Sequence, residues 1–155
     1  MSSWQSQFSE NLPRLGHRNW IVVADAAYPE QSAPGVTVLV ANSPIDEVLR
    51  HVLTAIHEMG HVSPKAFLDR ELGFLTEDLC PGVSALRASI RFETGQLQPS
   101  EGAHEMILEK LNMDGANYSI LVIKTNTMIP YTSVFLQLEC GYWDNDREKI
   151  LRELM

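Results

Sequence analysis

Residues 20–25 read WIVVAD and residues 36–41 read VTVLVA. Each is a short, nearly continuous β-branched run, the pattern of a strand covered on both faces. Between them the segment Tyr28 to Gly35 carries Pro29, Pro34 and Gly35 and reads as a loop. Asn42-Ser43-Pro44 then supplies a cap and a first-turn proline for a helix from Ile45 to Gly60. On that helix Val48, Leu49, Val52, Leu53, Ile56 and Met59 form one apolar stripe at spacings of three and four, so it is an amphipathic crossover helix. Strand, loop, strand, helix is an α/β opening.

Outward from this unit, Trp4 to Leu15 reads as a helix that Pro13 breaks near its end. Ser63 to Gly82 holds a short strand or helix around Ala66 to Leu72 and a break at Cys80-Pro81-Gly82. Alternation predicts a strand at Arg87 to Phe92, and Ser100 to Leu111 reads as a helix ending before a turn at Asp114-Gly115. Tyr118 to Lys124 (YSILVIK) and Ser133 to Cys140 (SVFLQLEC) are two more strands, joined by the loop Thr125 to Tyr131. Five or six strands with interspersed helices predict a three-layer α/β/α domain over residues 1–155, with a central, mostly parallel, mixed sheet. In such sheets ligands sit beyond the carboxyl ends of strands. Asp25 stands at one such end, and the loop before Tyr131 follows another.

Twenty acidic against twelve basic side chains give a net charge of -8, a field that repels phosphate backbones and anionic lipid. Nucleic acid and membrane surfaces are therefore not expected partners. The N-terminal MSSWQSQFSENLPR has neither a basic leader nor an apolar core, and no segment approaches the roughly 18 apolar residues of a membrane span, so a cytoplasmic protein is expected. Cys80 and Cys140 stand apart without C-x-x-C spacing and read as two thiols, at least one of them buried.

The polar residues flanking the first strand suit proton chemistry on a hydroxylated ligand. His17 follows Gly16 in a tight connection where an imidazole can be exposed, and histidine titrates near neutral pH. A carboxylate such as Asp25 accepts hydrogen bonds from paired hydroxyls, or alternatively caps the turn before Pro29. Against this stands His57-Glu58-Met59-Gly60-His61, an H-E-x-x-H run in which His57 and His61 would bind zinc and Glu58 would act as base of a hydrolase. Gly60 and Pro64 end the helix at the second histidine, and Pro64 and Phe67 stand where a metzincin continuation needs glycine and histidine. A solvated helix end is the expected reading. His51 and His104 read as surface groups on helices, and Trp4, Trp20 and Trp143 as packing residues.

The run LPRLGHRNWIVVADAAYP, Leu12 to Pro29, resembles the signature of the ribose pyranase and fucose mutarotase family, LGH-x-(D/N)-x-(I/L)-(V/I)-V-x-D-A-x-(F/L)-P. PYTSVFLQLECGYW near the C-terminus is similar to that family's Y-(A/G)-N-(I/L)-(I/L)-L-x-x-G-V ending. The resemblance implies a cofactor-independent enzyme that interconverts ring or anomeric forms of a monosaccharide. It matches His17 to the proton donor, Asp25 to the sugar-binding carboxylate, and Tyr131 and Ser133 to a Y-x-N triplet that contacts the sugar, with His17 and Tyr131 as the catalytic residues it implies. Three departures stand out: Ser133 for asparagine, Glu93-Thr94-Gly95-Gln96 where a sugar-binding His or Arg is expected after a strand, and Lys124-Thr125-Asn126 for T-G-E. A non-catalytic monosaccharide-binding relative therefore stays open beside the enzyme.

Eight residues of strand at about 3.3 Å each place His17 and Asp25 roughly 20 to 26 Å apart, too far for one sugar to bridge. If both serve one site, either the chain folds back near His17 or a second copy supplies it. The resemblance implies the second, a ring-shaped homo-oligomer with its sites at subunit interfaces.

Overall fold

The computed structural model describes residues 3–155, which form one continuous six-stranded sheet. In chain order the elements are α1 (Trp4–Asn11), β1 (Trp20–Ala24), β2 (Val36–Val40), α2 (Ile45–Met59), β3 (Val62–Asp69), α3 (Val83–Thr94), β4 (Ser100–Gly102), α4 (His104–Gly115), β5 (Ile120–Lys124), β6 (Val134–Cys140) and α5 (Asn145–Leu154). The strand order is β2-β5-β1-β6-β3-β4. β2, β5 and β1 pair in parallel, as do β3 and β4, whereas β6 runs antiparallel to both β1 and β3. Five strands thus share one direction and β6 opposes them, which is the mixed, mostly parallel sheet expected.

Alternation along the strands divides the core between the two sheet faces. Ile21, Val23, Leu121, Ile123, Leu136 and Leu138 pack under α1, α2 and α3. Trp20, Val22, Ala24, Ile120, Val122 and Phe135 pack under α4 through Ile107 and Leu111. Every residue of β1 is buried, as a strand covered on both faces requires; β2, expected to be covered in the same way, is instead an edge strand paired only with β5, with Leu39 its one buried residue and Val40 exposed. Ile45, Val48, Leu49, Val52 and Ile56 are buried on α2, each contributing about 1.5–3 kcal/mol of gross transfer energy, whereas of the expected stripe Leu53 is half-buried and Met59, at the helix end, is exposed. The α5 helix has no buried residue. No helix among the described residues is long and apolar enough to cross a membrane.

Several local expectations are corrected. Arg87–Phe92 is not a strand but the second half of α3. Its apparent alternation is a helical pattern cut short, because Val83, Ile90 and Thr94 are the buried positions. Glu77 starts this helix, its carboxylate accepting from the N–H groups of Gly82 at 3.0 Å and Ser84 at 2.9 Å. That carboxylate is held below its usual range by those two bonds. The helix expected from Ser100 begins only at His104, since Ser100–Gly102 pairs with Phe67–Asp69 as β4. Asp114 and Gly115 are the last turn of α4 rather than a free turn. The cap of α2 comes from a distant residue: Pro44 occupies the cap position, and the Ile45 N–H donates to Thr127 Oγ1 at 2.9 Å. Cys80 and Cys140 are free and half-buried.

Candidate functional site

Because β6 is reversed, its amino end lies at the same sheet edge as the carboxyl ends of the other five strands. That edge gathers Asp25 after β1, Asp69 at the end of β3, His104 after β4, Thr125 after β5, and Tyr131 and Ser133 before β6. A cavity of about 330 Å³ opens there, lined by Asp25, Tyr28, Asp69, His104 and Tyr131 among others. Its size and its few convergent polar groups fit a small-molecule pocket.

Two carboxylates are held differently. Asp25 is half-buried, and Ser133 grips it twice: the hydroxyl donates to Asp25 Oδ1 at 2.6 Å and accepts from the Asp25 N–H at 3.1 Å. Ser133 is buried and turned onto Asp25, so serine here orients the carboxylate. Asp69 is 2% exposed. Its Oδ2 accepts from His104 Nδ1 at 2.9 Å, and its Oδ1 is enclosed without a partner. Burial pushes the Asp69 carboxyl up to about 6; the His104 bond and charge pull against that rise, while Glu71 and Asp25 add to it. Perturbed carboxyls of this kind cluster at functional sites.

His104 is the first residue of α4, and its N–H donates to both oxygens of Glu71, at 3.0 and 3.1 Å. With Nδ1 committed to Asp69, Nε2 is the ring nitrogen left for a ligand. Tyr131 adopts a left-handed backbone, φ 62°, a conformation that costs a non-glycine residue about 1 kcal/mol or more and is common at binding sites. Its ring meets His104 edge-on at 5.6 Å. The Tyr28 hydroxyl is buried without a hydrogen bond of good geometry. Burial raises its pKa, Gln31 opposes the rise, and Asp25 and Asp69 reinforce it.

His104 corrects the expectation of a surface group: it lines the cavity, whereas residues 93–96, where the resemblance places a sugar-binding His or Arg, do not. Glu93-Thr94-Gly95-Gln96 closes α3 elsewhere, where Glu93 accepts from Arg50 Nε at 2.8 Å. His51 is not a free surface group either, since its ring packs edge-on to Trp4 at 4.9 Å. The departure at Lys124-Thr125-Asn126 serves the scaffold: Thr125 donates to the Ala24 carbonyl at 2.8 Å and the Asn126 N–H to the Ser43 carbonyl at 3.0 Å.

His17 lies at the opposite, amino edge of the sheet, before β1. It is exposed at the apex of a turn tied down on either side of it. The Gly16 N–H donates to Asn19 Oδ1 at 2.7 Å, the Arg18 N–H to the Leu138 carbonyl at 3.0 Å, and Asn19 Nδ2 to the Ser119 carbonyl at 3.1 Å. Arg18, and not Gly16, takes a left-handed conformation in this turn, at φ 76°. Asp25 and Tyr131 are therefore brought together in one copy, with Ser133 behind them, and His17 is not.

The H-E-x-x-H run does not form two ligands on successive helical turns. The α2 helix ends at Met59, Gly60 turns left-handed at φ 78°, and His61 falls outside with Nε2 on the Leu15 carbonyl at 2.9 Å. Among the described residues no three His, Cys, Asp or Glu side chains are grouped to hold a metal ion.

No protein-family model matches the sequence, and no curated protein matches it. Solved structures match its fold. RbsD of Bacillus subtilis, solved with D-ribose, aligns at a TM-score of 0.59 and 20% identity over 90% of this chain and 94% of its own. FucU of Bifidobacterium longum aligns at 0.60 and 16% identity, covering 88% and 94% respectively. The fucose mutarotase of Streptococcus pneumoniae, solved with L-fucose, aligns at 0.57 and 18% identity, covering 86% and 91%. The resemblance read from the two sequence motifs thus holds in three dimensions: this chain has the fold of the RbsD and FucU proteins.

Proposed function

We propose that this protein interconverts the ring or anomeric forms of a monosaccharide in the cytoplasm. The observation that carries the reading is the convergence of Asp25, Asp69, His104 and Tyr131 on one cavity, while His17 is presented outward from the far edge. Asp25, held by Ser133, accepts hydrogen bonds from sugar hydroxyls, and Tyr131 covers the ring beside His104. His17 of a second copy delivers a proton to the ring oxygen. As the C1–O bond of the ring breaks, the anomeric hydroxyl gives up its proton to the Asp69–His104 pair and C1 becomes a carbonyl. Rotation about C1–C2 and reclosure, with the protons returned, yield the other form. No electron leaves the sugar, so acid and base groups suffice and neither metal nor organic cofactor is required. The working unit is a homo-oligomer with its sites between copies.

A monosaccharide-binding protein without chemistry is the second reading, favoured by the separation of His17 from the cavity within one copy. Saturation-transfer NMR on a sugar panel including D-ribose and L-fucose separates the two. Anomer exchange faster than buffer, slowed many-fold but still above buffer in His17→Ala with binding retained, is the expected result. Binding without faster exchange supports the second reading, and exchange at the buffer rate for every sugar refutes the enzyme.

A further inference from the structure

His61 is the part of the H-E-x-x-H run that the cavity does not use, yet its side chain is tightly engaged. Its backbone carbonyl accepts from the Gly141 N–H at 3.0 Å, which seats it at the amino edge where β3 meets β6. Its ring then reaches across to the Leu15 carbonyl, 46 residues away in the chain, at 2.9 Å. A carbonyl only accepts, so Nε2 carries the proton of this bond. Nδ1 is enclosed by protein and has no partner of its own. A half-buried imidazole with one bond made and one enclosed nitrogen unsatisfied calls for an explanation, and what the bond holds supplies it.

The bond holds the start of the His17 turn. Leu15 is anchored in the core on its side-chain side and by His61 on its carbonyl side. Gly16, Arg18 and Asn19 are each bonded to the turn or the sheet, and His17 alone projects. The left-handed Gly60 is what takes the chain off the α2 axis and brings His61 to this place. We propose that His61 is a positioning residue for His17, fixing where the imidazole projects toward a neighbouring copy. This rests on the reading of His17 as the proton donor.

Displacement of an acid by about 1 Å costs on the order of a hundredfold in rate without weakening substrate binding. Exchange kinetics of D-ribose and L-fucose are compared for wild type, His61→Leu, His61→Gln, His17→Ala and the His17→Ala/His61→Leu double variant. His61→Leu lowers kcat about ten- to a hundredfold with KM within about twofold of wild type. His61→Gln, whose amide N–H still donates to Leu15, restores most of it. In the His17→Ala background His61→Leu brings no further loss, because the two act through one group. Unchanged kcat in His61→Leu, a His61→Gln variant as slow as His61→Leu, or losses that multiply in the double variant each overturn the proposal. So does a His61→Leu chain that unfolds while His61→Gln stays folded and active, which would make the bond structural. Wild-type exchange no faster than buffer refutes the enzyme reading itself and removes this inference with it.

Discussion

Asp69→Asn tests the electrostatics of the cavity most directly. The carboxyl rises from 3.8 to about 6 on folding, and at about 1.4 kcal/mol per pH unit the ionised form is disfavoured by about 3 kcal/mol. Asparagine keeps an oxygen to accept from His104 Nδ1, 2.9 Å away, and places an amide where Oδ1 has no partner. The sign follows from proton linkage. A carboxyl that binds its proton more tightly when folded contributes no penalty below about pH 4 and an increasing one up to about pH 6, then a constant one above. Asp69→Asn is therefore expected to stabilise the protein by about 2–3 kcal/mol at pH 7.5, and by less than about 1 kcal/mol at pH 4. Urea unfolding followed by tryptophan fluorescence, at one protein concentration because assembly shifts apparent stability, measures both values. The same variant loses faster sugar exchange, the usual trade between stability and a strained site. A variant no more stable than wild type at pH 7.5, or a difference that does not change with pH, refutes the assignment of Asp69 as a buried, reluctantly ionised acid.

Ser133→Ala removes both bonds to Asp25; it is expected to cost about 1–3 kcal/mol and to weaken sugar binding at least about tenfold, read by saturation-transfer titration. Tyr131→Gly relieves the backbone at φ 62°, so the thermal midpoint holds or rises by a few degrees, roughly 1 kcal/mol, while sugar affinity falls. Asp114→Ala strips the acceptor from the buried Trp20 indole, bonded at 2.7 Å. It should lower stability by about 1–3 kcal/mol in urea unfolding and leave sugar binding unchanged, since Trp20 begins β1 at the edge away from the cavity. Light scattering of the purified protein should show an oligomer, and a monomer at working concentrations removes His17 from the site.

The elements legible in the sequence are those with a continuous β-branched run or a long apolar stripe. WIVVAD forms β1, buried throughout, and VTVLVA forms β2, legible by its β-branched run although only Leu39 of it is buried; the α2 stripe is buried at Val48, Leu49, Val52 and Ile56 but not at Met59, where the helix ends. Asp25 was found because it follows so plain a strand. Asp69 stands in the same relation to β3, but β3 is hard to read: its burial is irregular, and Pro64 sits within it. Proline is tolerated there because β4 pairs only with Phe67–Asp69, so the outer edge beside Pro64 has no ladder to break. His104 was hidden by the same region. Once Arg87–Phe92 reads as a strand, the three-residue β4 disappears into the following helix and the histidine that opens α4 looks like one more exposed helical residue. The cap of α2 by Thr127 could not be read locally at all, because the partners lie 82 residues apart.

The reversed strand β6 also governs when this molecule can exist. It is the sole neighbour shared by the β2-β5-β1 group and the β3-β4 pair, so during synthesis two half-sheets wait, each with an open edge, until residues 134–140 have emerged. Closure then joins segments more than a hundred positions apart, as Val22 to Phe135, a topology that folds slowly and leaves exposed edges in the interim. The same event carries Tyr131 and Ser133 into place beside Asp25. A chain that has not closed its sheet has no pocket, so recovery of sugar binding after denaturation reports completed folding, and secondary structure alone should return first.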